Sequence, residues 1–218
     1  PFERLLMDFN WRFQLGDAPD AGRMFAYPEV HDLAKTRLNE IGEGTKLIAN
    51  LPDPVENNLG SNVSFVKPAF DDNRWKPLDL PHDWAVELPF ATNADFHHGF
   101  KPVGTNFLSD SIGWYRRKFM LPAADAGRRL WIEFDGVYRD SLVWLNGHCL
   151  GRNPSGYSGF RYDISKVANF GGTNVLAVRV DASRSEGWFY EGAGIYRHVW
   201  LEKMSPLYVD PDGLFVWS

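Results

Sequence analysis

The chain has 218 residues and a net charge of −5 at neutral pH, a length that suits one large β domain with a sizeable core. The charged residues form no basic run, so we expect neither nucleic acid nor a membrane surface as a partner. No segment approaches the roughly 20 apolar residues that cross a bilayer. Aromatic residues make up 15% of the chain, which suits either a sandwich core or platforms that stack on sugars.

The first predicted strand runs from Leu5 to Leu15, where Phe9, Trp11 and Phe13 alternate with other side chains at the period of a half-buried strand. A short helix is predicted at 28–41, because its apolar residues recur at helical spacing and a glycine follows its end. The residues from there to Pro68 are rich in Gly, Pro and Asn and predict a loop.

The segment 70–84, FDDNRWKPLDLPHDW, predicts a turn followed by an extended stretch in which Trp75 and Trp84 are buried. His82 and Asp83 suggest acid–base chemistry, but neighbouring side chains of an extended segment point to opposite faces. A general acid or base also needs a positioned partner. We therefore expect Asp83 to accept backbone hydrogen bonds and His82 to pack beneath a loop.

Residues 91–112 show no clear period and predict a long loop before a strand at 113–121. Loops of this length in a compact domain are usually functional or disordered. His97 and His98 are candidate metal ligands, but no cluster of Cys, His or Asp at ligand spacing accompanies them. We therefore expect no metal and no other cofactor.

The clearest pattern lies at 128–165. RLWIEFDGV alternates, and Asn146-Gly147 separates two apolar runs, which predicts a hairpin whose type I′ turn needs positive φ at both central residues. A third alternating run, GFRYDIS, follows. Residues 172–181 are apolar on both faces, which is typical of a fully buried strand.

The connection at 183–194 is acidic and aromatic, and a return strand is predicted at 198–203. Carboxylates accept hydrogen bonds from sugar hydroxyls, and aromatic rings pack on the C–H face of a pyranose. The alternative is that Trp188 and Tyr196 only close the end of a sandwich. The candidate sugar contacts in this connection are Glu186, Trp188, Tyr190 and Glu191.

The single cysteine says little about the cellular compartment. Cys149 is the only cysteine, so no internal disulfide forms, and its place just after the hairpin turn predicts a packing role. The chain begins with Pro1 and has no signal-peptide pattern, so we expect either a trimmed piece of a longer protein or a processed export product. The periplasm or secretion is favoured, and the cytoplasm is the alternative.

Several of these segments together resemble the amino-terminal sugar-binding domain of family 2 glycoside hydrolases, the group of β-galactosidases, β-glucuronidases and β-mannosidases. The resemblance rests on LPHDW, GWYRRKF, LWIEFDGVYRDSLVWLNGHCLG, NVLAVRVD and GAGIYRHVWLE in this order, with DFNWRFQLGD near the start. It implies an all-β fold, a β-sandwich of the jelly-roll, galactose-binding-domain-like type, over residues 1–204. Residues 205–218 would be a linker and the start of a truncated immunoglobulin-like domain.

Residues 21–67 correspond to nothing in the family pattern and are expected to be an insertion that carries the one short helix. The resemblance does not explain this segment. It could contact another subunit, form one wall of a substrate site or decorate the surface.

The resemblance also implies site residues. In the β-galactosidase branch the loop that corresponds to 91–112 reaches toward the sugar, which adds Asn93, His97 and His98 as candidates. Family members present an acidic residue upstream of a turn like Gly194-Ile195-Tyr196-Arg197, a part open to Glu186 or Glu191. Many relatives carry Arg-Trp-Tyr where this chain has Gly187-Trp188-Phe189, which leaves galactose specificity open.

Catalysis in a retaining glycosidase needs two carboxylates about 5 Å apart. Family 2 places both in a carboxyl-terminal (β/α)₈ barrel, and such a barrel takes about 250 residues alone. The resemblance therefore implies a non-catalytic domain of a retaining, β-galactosidase-like hydrolase. Its expected partners are a glycoside and the immunoglobulin-like and barrel domains of the parent, whose homo-oligomerisation is left open. The alternatives are an autonomous carbohydrate-binding module and a purely structural domain.

Overall fold

In the computed structural model, which describes residues 2–25, 55–187, 189–209 and 213, ten strands form two antiparallel sheets. The four-stranded sheet has the order β1-β10-β5-β8, and the six-stranded sheet has the order β3-β2-β4-β9-β6-β7. The strands are β1 (Glu3–Leu6), β2 (Trp11–Leu15), β3 (Lys76–Leu78), β4 (Ile112–Met120), β5 (Arg129–Phe134), β6 (Ser141–Leu145), β7 (His148–Asn153), β8 (Phe160–Asp163), β9 (Thr173–Asp181) and β10 (Val199–Met204).

Helical structure within these residues is confined to single turns. One α-helical turn, α1 (Leu108–Ser111), precedes β4, and 3₁₀ turns occupy Ser64–Val66, Trp84–Glu87, Phe96–His98 and Ala123–Asp125. The helix predicted at 28–41 lies outside the described residues. None of the helices in the described part is long and apolar enough to cross a membrane. The fold is an all-β sandwich, as the sequence predicts.

The main core lies between the two sheets. Leu130, Ile132 and Phe134 are fully buried on the inner face of β5, which confirms the alternation of that strand. β9 is buried along its length except at Thr173. The hairpin of β6 and β7 turns at Asn146 and Gly147, whose φ values of 52° and 84° have the positive sign that the predicted turn requires.

The amino-terminal segment is not the single strand that its alternation predicts. β1 pairs with β10 in one sheet, and β2 pairs with β4 in the other. Asn10 has a φ of 65° and donates its backbone N–H to Asp79 Oδ1 at 2.8 Å, so the chain turns there and changes sheets. Phe9 consequently lies exposed, whereas Trp11 and Phe13 are buried as expected.

A second core covers the outer face of the six-stranded sheet. Trp114 of β4 and Trp144 of β6 stack with ring centroids 5.4 Å apart, and Cys149 is buried in the same cluster, consistent with its predicted packing role. Phe25 and Phe65, from the two described flanks of the insertion, pack against these indoles. The described part of residues 21–67 therefore covers a sheet face that would otherwise expose two tryptophans.

Candidate functional site

A polar cleft of about 530 Å³ lies at one end of the sandwich. One wall consists of residues from 93–98 and 103–107, and the other consists of 183–185. Strand pairing brings the two walls together, because Ile112 at the start of β4 pairs with Asp181 at the end of β9. The loop that enters β4 and the loop that leaves β9 therefore meet at the same sheet end, where Ala182 N donates to Ser111 O at 2.8 Å.

The first wall is held by its own polar groups. Asp95 Oδ1 accepts the backbone N–H of His97 at 2.8 Å and lies 2.5 Å from His97 Nδ1, so it caps the 3₁₀ turn Phe96–His98. These hydrogen bonds hold the pKa of Asp95 below its usual value. Ser111 Oγ accepts from Gly104 N at 2.8 Å and donates to Phe107 O at 2.7 Å. The wall is therefore built from local turns.

Three contacts join the two loops around the cleft. Glu191 N donates to His97 O at 2.8 Å, and His98 Nδ1 lies 2.7 Å from Glu191 O. The third contact is that of Tyr190 with Gly99. The Tyr190 hydroxyl also lies 3.4 Å from Oδ2 of Asp83, which is outside both loops. These bonds link residues about 90–110 positions apart in the sequence, so the packing of the two loops against each other depends on tertiary structure.

Glu191 supports its loop from inside. Its side chain is fully buried, and its Oε1 accepts the backbone N–H of Glu186 at 2.7 Å. Burial raises the pKa of Tyr138, and a hydrogen bond to the Glu191 carboxylate raises it further. The carboxylate of Glu191 therefore organises the loop and does not line the cleft.

Glu186 is also bound within the domain. Its Oε1 accepts from Gly156 N at 2.8 Å and lies 3.0 Å from Arg139 Nε, and Arg139 Nη1 donates to Ser185 O at 3.1 Å. The side chain of Glu186 is 22% exposed. Glu186 thus borders the cleft next to Ser185 and anchors its second wall.

The sequence candidates divide into three groups. Asn93, His97 and His98 line the cleft. Tyr190 and Glu191 lie on the adjoining loop and contact the first wall, and Glu186 anchors the second wall. Trp188 lies outside the described residues.

Several residues that line the cleft were not predicted from the sequence, among them Asp95, Thr105, Asn106, Ser183 and Arg184. For Asp95 a signal exists, since an Asp two residues before a histidine pair fits a turn cap. For the residues after β9, the signal is only that a polar segment leaves a fully buried strand.

The sequence of the chain matches a known protein family. Residues 63–205, more than half of the chain, match the family model described as "Glycosyl hydrolases family 2, sugar binding domain". The chain belongs to glycoside hydrolase family 2.

Relatives of this family 2 domain carry two activities in their names. The chain is 44% identical over 162 residues to the β-galactosidase BoGH2A of Bacteroides ovatus. This alignment covers 73% of the chain and 18% of that protein. The chain is 37% identical over 172 residues to a putative β-glucuronidase of Formosa agariphila, with coverages of 74% and 16%. The chain therefore spans less than a fifth of the length of these curated relatives.

Solved structures have the same fold. A family 2 member from Bacteroides cellulosilyticus superposes on the chain with a TM-score of 0.67 at 26% sequence identity. The superposition covers 93% of the chain and 21% of that structure. A β-glycosidase from Bacteroides vulgatus gives 0.64 at 30% identity, with coverages of 91% and 20%.

Two histidines of the family 2 domain, His82 and His98, are buried. Burial lowers the pKa of both His82 and His98. His82 Nδ1 lies 2.7 Å from the Tyr115 hydroxyl, and Asp83 accepts backbone hydrogen bonds from Ala85 and Ala193. His82 is therefore buried, and Asp83 accepts backbone hydrogen bonds, as the sequence predicts for these two residues. In the described residues, no group of three or more His, Cys, Asp or Glu side chains is placed to hold a metal ion.

Proposed function

We propose that this family 2 domain is non-catalytic and completes the substrate pocket of a retaining, β-galactosidase-like hydrolase. The observation that carries the proposal is the cleft, which gathers Asn93, His97 and His98 opposite Ser183–Ser185. Small-molecule sites typically measure about 300–1,000 Å³ and contain a few convergent polar groups. The cleft, at about 530 Å³, suits one sugar unit.

The carboxylates around the cleft support the non-catalytic role. Among the described residues that line it, Asp95 is the one carboxylate, and its Oδ1 is bound to His97. A retaining mechanism requires two carboxylates about 5 Å apart, one as nucleophile and one as acid/base. We therefore assign the chemistry to the part of the parent protein that this chain does not contain.

A pair of exposed aromatic rings on the two loops that form the cleft favours a second candidate, an autonomous carbohydrate-binding module. Phe96 and Phe189 are 53% and 67% exposed, and their rings lie within 22° of parallel with centroids 6.5 Å apart. Exposed rings of this kind pack on the C–H face of a pyranose. The same rings would equally serve as a surface for the barrel, so affinity has to separate the two roles.

The test is calorimetric titration of the 218-residue chain with galactose, glucuronic acid, mannose and short β-linked oligosaccharides, beside nitrophenyl glycoside assays of the chain and its full-length parent. We expect turnover by the parent and none by the chain. Millimolar or tighter binding by the chain alone would favour the autonomous module. Turnover by the chain alone would contradict the proposal.

A variant pair in the parent tests the cleft itself. Asn93→Ala removes a lining amide and should raise KM about threefold to tenfold, the usual range for one neutral hydrogen bond. Asn73→Ala, at an exposed position outside the cleft, is the matched control and should leave KM unchanged. Equal KM values for both variants would favour a purely structural domain.

A further inference from the structure

His98 has a fixed proton arrangement. The residue lines the cleft and is only 1% exposed. Its Nδ1 lies 2.7 Å from the carbonyl oxygen of Glu191, and a carbonyl oxygen can only accept. Nδ1 therefore carries the proton, and a neutral imidazole then has its lone pair on Nε2.

The Nε2 atom is a buried acceptor. Within residues 2–25, 55–187, 189–209 and 213, it has no hydrogen-bond partner. Burial disfavours the charged imidazolium and lowers the pKa of His98, so Nε2 does not become a donor at neutral pH. A buried polar atom without a partner is costly, and in a native protein it calls for an explanation such as a functional role.

The ring is held in this orientation from the neighbouring residue as well. Glu191 N donates to the carbonyl of His97 at 2.8 Å, so Glu191 binds two consecutive residues of the opposite wall through its backbone. The His98 ring also packs edge-on against Tyr138, with centroids 6.2 Å apart. The acceptor is therefore presented by a rigid support.

We propose that His98 is a specificity-determining residue of the cleft, whose Nε2 accepts a hydrogen bond from a hydroxyl group of a bound sugar. This inference rests on the proposed function of the cleft. A hydroxyl supplies the proton that Nε2 lacks. A carboxylate at the same place would set one lone pair against another, so this position prefers a donor such as a hydroxyl over a carboxylate.

Arg184 does not reverse this preference at His98. It lies on the other wall of the cleft, and a guanidinium attracts carboxylates. A uronate that reached Arg184 would still need a donor at the position facing His98.

The experiment compares two variants in the full-length protein. His98→Asn retains a donor near the Nδ1 position for the Glu191 carbonyl but removes Nε2, whereas His98→Gln offers an amide oxygen near the Nε2 position. We expect His98→Asn to lower kcat/KM for a nitrophenyl β-galactoside about threefold to tenfold and His98→Gln to restore part of it. His148→Asn, at an exposed position on β7, is the control and should behave as the wild type.

A deoxy-sugar series separates recognition from structure. The monodeoxy galactoside that lacks the partner hydroxyl should lose kcat/KM with the wild type and lose nothing further with His98→Asn. Equal losses in both proteins for every deoxy sugar would overturn the assignment, as would a His98→Asn variant that matches the wild type. A wild-type enzyme that turns over no glycoside would instead contradict the proposed function.

Nuclear magnetic resonance of the ¹⁵N-histidine-labelled 218-residue chain gives a readout independent of turnover. We expect the Nδ1-protonated form of His98 at neutral pH. A proton on Nε2 would overturn the inference even if the variants failed to fold.

Discussion

The carboxylate of Asp83 joins the segment before β4 to the loop that bears Glu191, because its Oδ1 accepts the backbone N–H groups of Ala85 at 3.0 Å and Ala193 at 2.8 Å. Ala193 is 110 residues further along the chain. A short turn cap thus also fixes the far loop of the cleft. The geometry leaves no room for a side chain at Gly192, where an added Cβ would meet Asp83 Oδ2.

Asp83→Ala should lower the free energy of unfolding by about 2–4 kcal/mol, since each buried donor left without a partner costs about 1–3 kcal/mol. Asp83→Asn keeps an oxygen at this position and should cost less. Urea denaturation of the chain measures the difference. Asp71→Ala is the matched control, because Asp71 also accepts a backbone N–H, from Asn73, but lies exposed. Equal losses for Asp83→Ala and Asp71→Ala would contradict the bridging role.

Trp144, in the second core on the outer face of the six-stranded sheet, should contribute strongly to stability. Trp144 is fully buried, stacks on Trp114 and donates its indole N–H to Leu59 O at 2.6 Å. Trp144→Ala should therefore lower the free energy of unfolding by about 3–5 kcal/mol, the usual cost of such a truncation in a core. Thermal or urea denaturation tests this. Leu207→Ala, at a residue that is 92% exposed, should change stability by less than about 0.5 kcal/mol.

Glu202 predicts a pH dependence. Burial, together with the neighbouring carboxylate of Glu133, raises the pKa of Glu202 to about 7, against an ordinary value of 4.5. Because the folded state binds this proton more tightly than the unfolded state, the stabilisation is complete below about pH 4.5 and is lost as the pH rises through 7. The loss amounts to at most about 3 kcal/mol.

Unfolding free energies between pH 5 and 8 test this. The wild type should become less stable across the range through this group, and Glu202→Gln should flatten the slope. Glu133→Gln removes the neighbouring charge and should flatten it in part. A slope that is identical in Glu202→Gln and the wild type would rule out Glu202 as its source.

Elements set by local chemistry were predictable from the sequence. The hairpin follows from Asn146-Gly147 because few other residues accept positive φ twice in succession, and the inner face of β5 follows from period-two alternation. The same alternation was wrong across Leu5–Leu15. It records which faces are apolar but not that Asn10 turns the chain into the other sheet.

The cleft was predictable only in part. Asn93, His97 and His98 belong to one loop, and the resemblance of that loop to the family made them candidates. The other wall depends on the pairing of β4 with β9, which sequence spacing does not reveal. Glu191 illustrates the same limit, since an acidic residue in a loop gives no sign that its carboxylate will be fully buried beneath that loop.

The ion pair of Arg179 with Asp17 tests whether burial or a short distance does more to strengthen an ion pair. Arg179 is 2% exposed, and its Nη2 and Nε lie 2.8 and 3.1 Å from the two oxygens of Asp17. Removing one partner of a buried pair typically costs about 3–5 kcal/mol, because the other charge stays desolvated. Asp181, 3.3 Å from Arg179 Nη2, offsets part of this, so we expect about 2–4 kcal/mol for Asp17→Ala.

A double-mutant cycle of Asp17→Ala and Arg179→Met should therefore give a coupling energy of about 1–3 kcal/mol by urea denaturation. The control cycle uses Lys76 and Glu87, which are closer, at 2.6 Å, but have side chains 50% and 44% exposed. Solvent screens an exposed pair, so its coupling should stay below about 1 kcal/mol. If the closer, exposed pair coupled more strongly, burial would not be what makes the Arg179 pair strong.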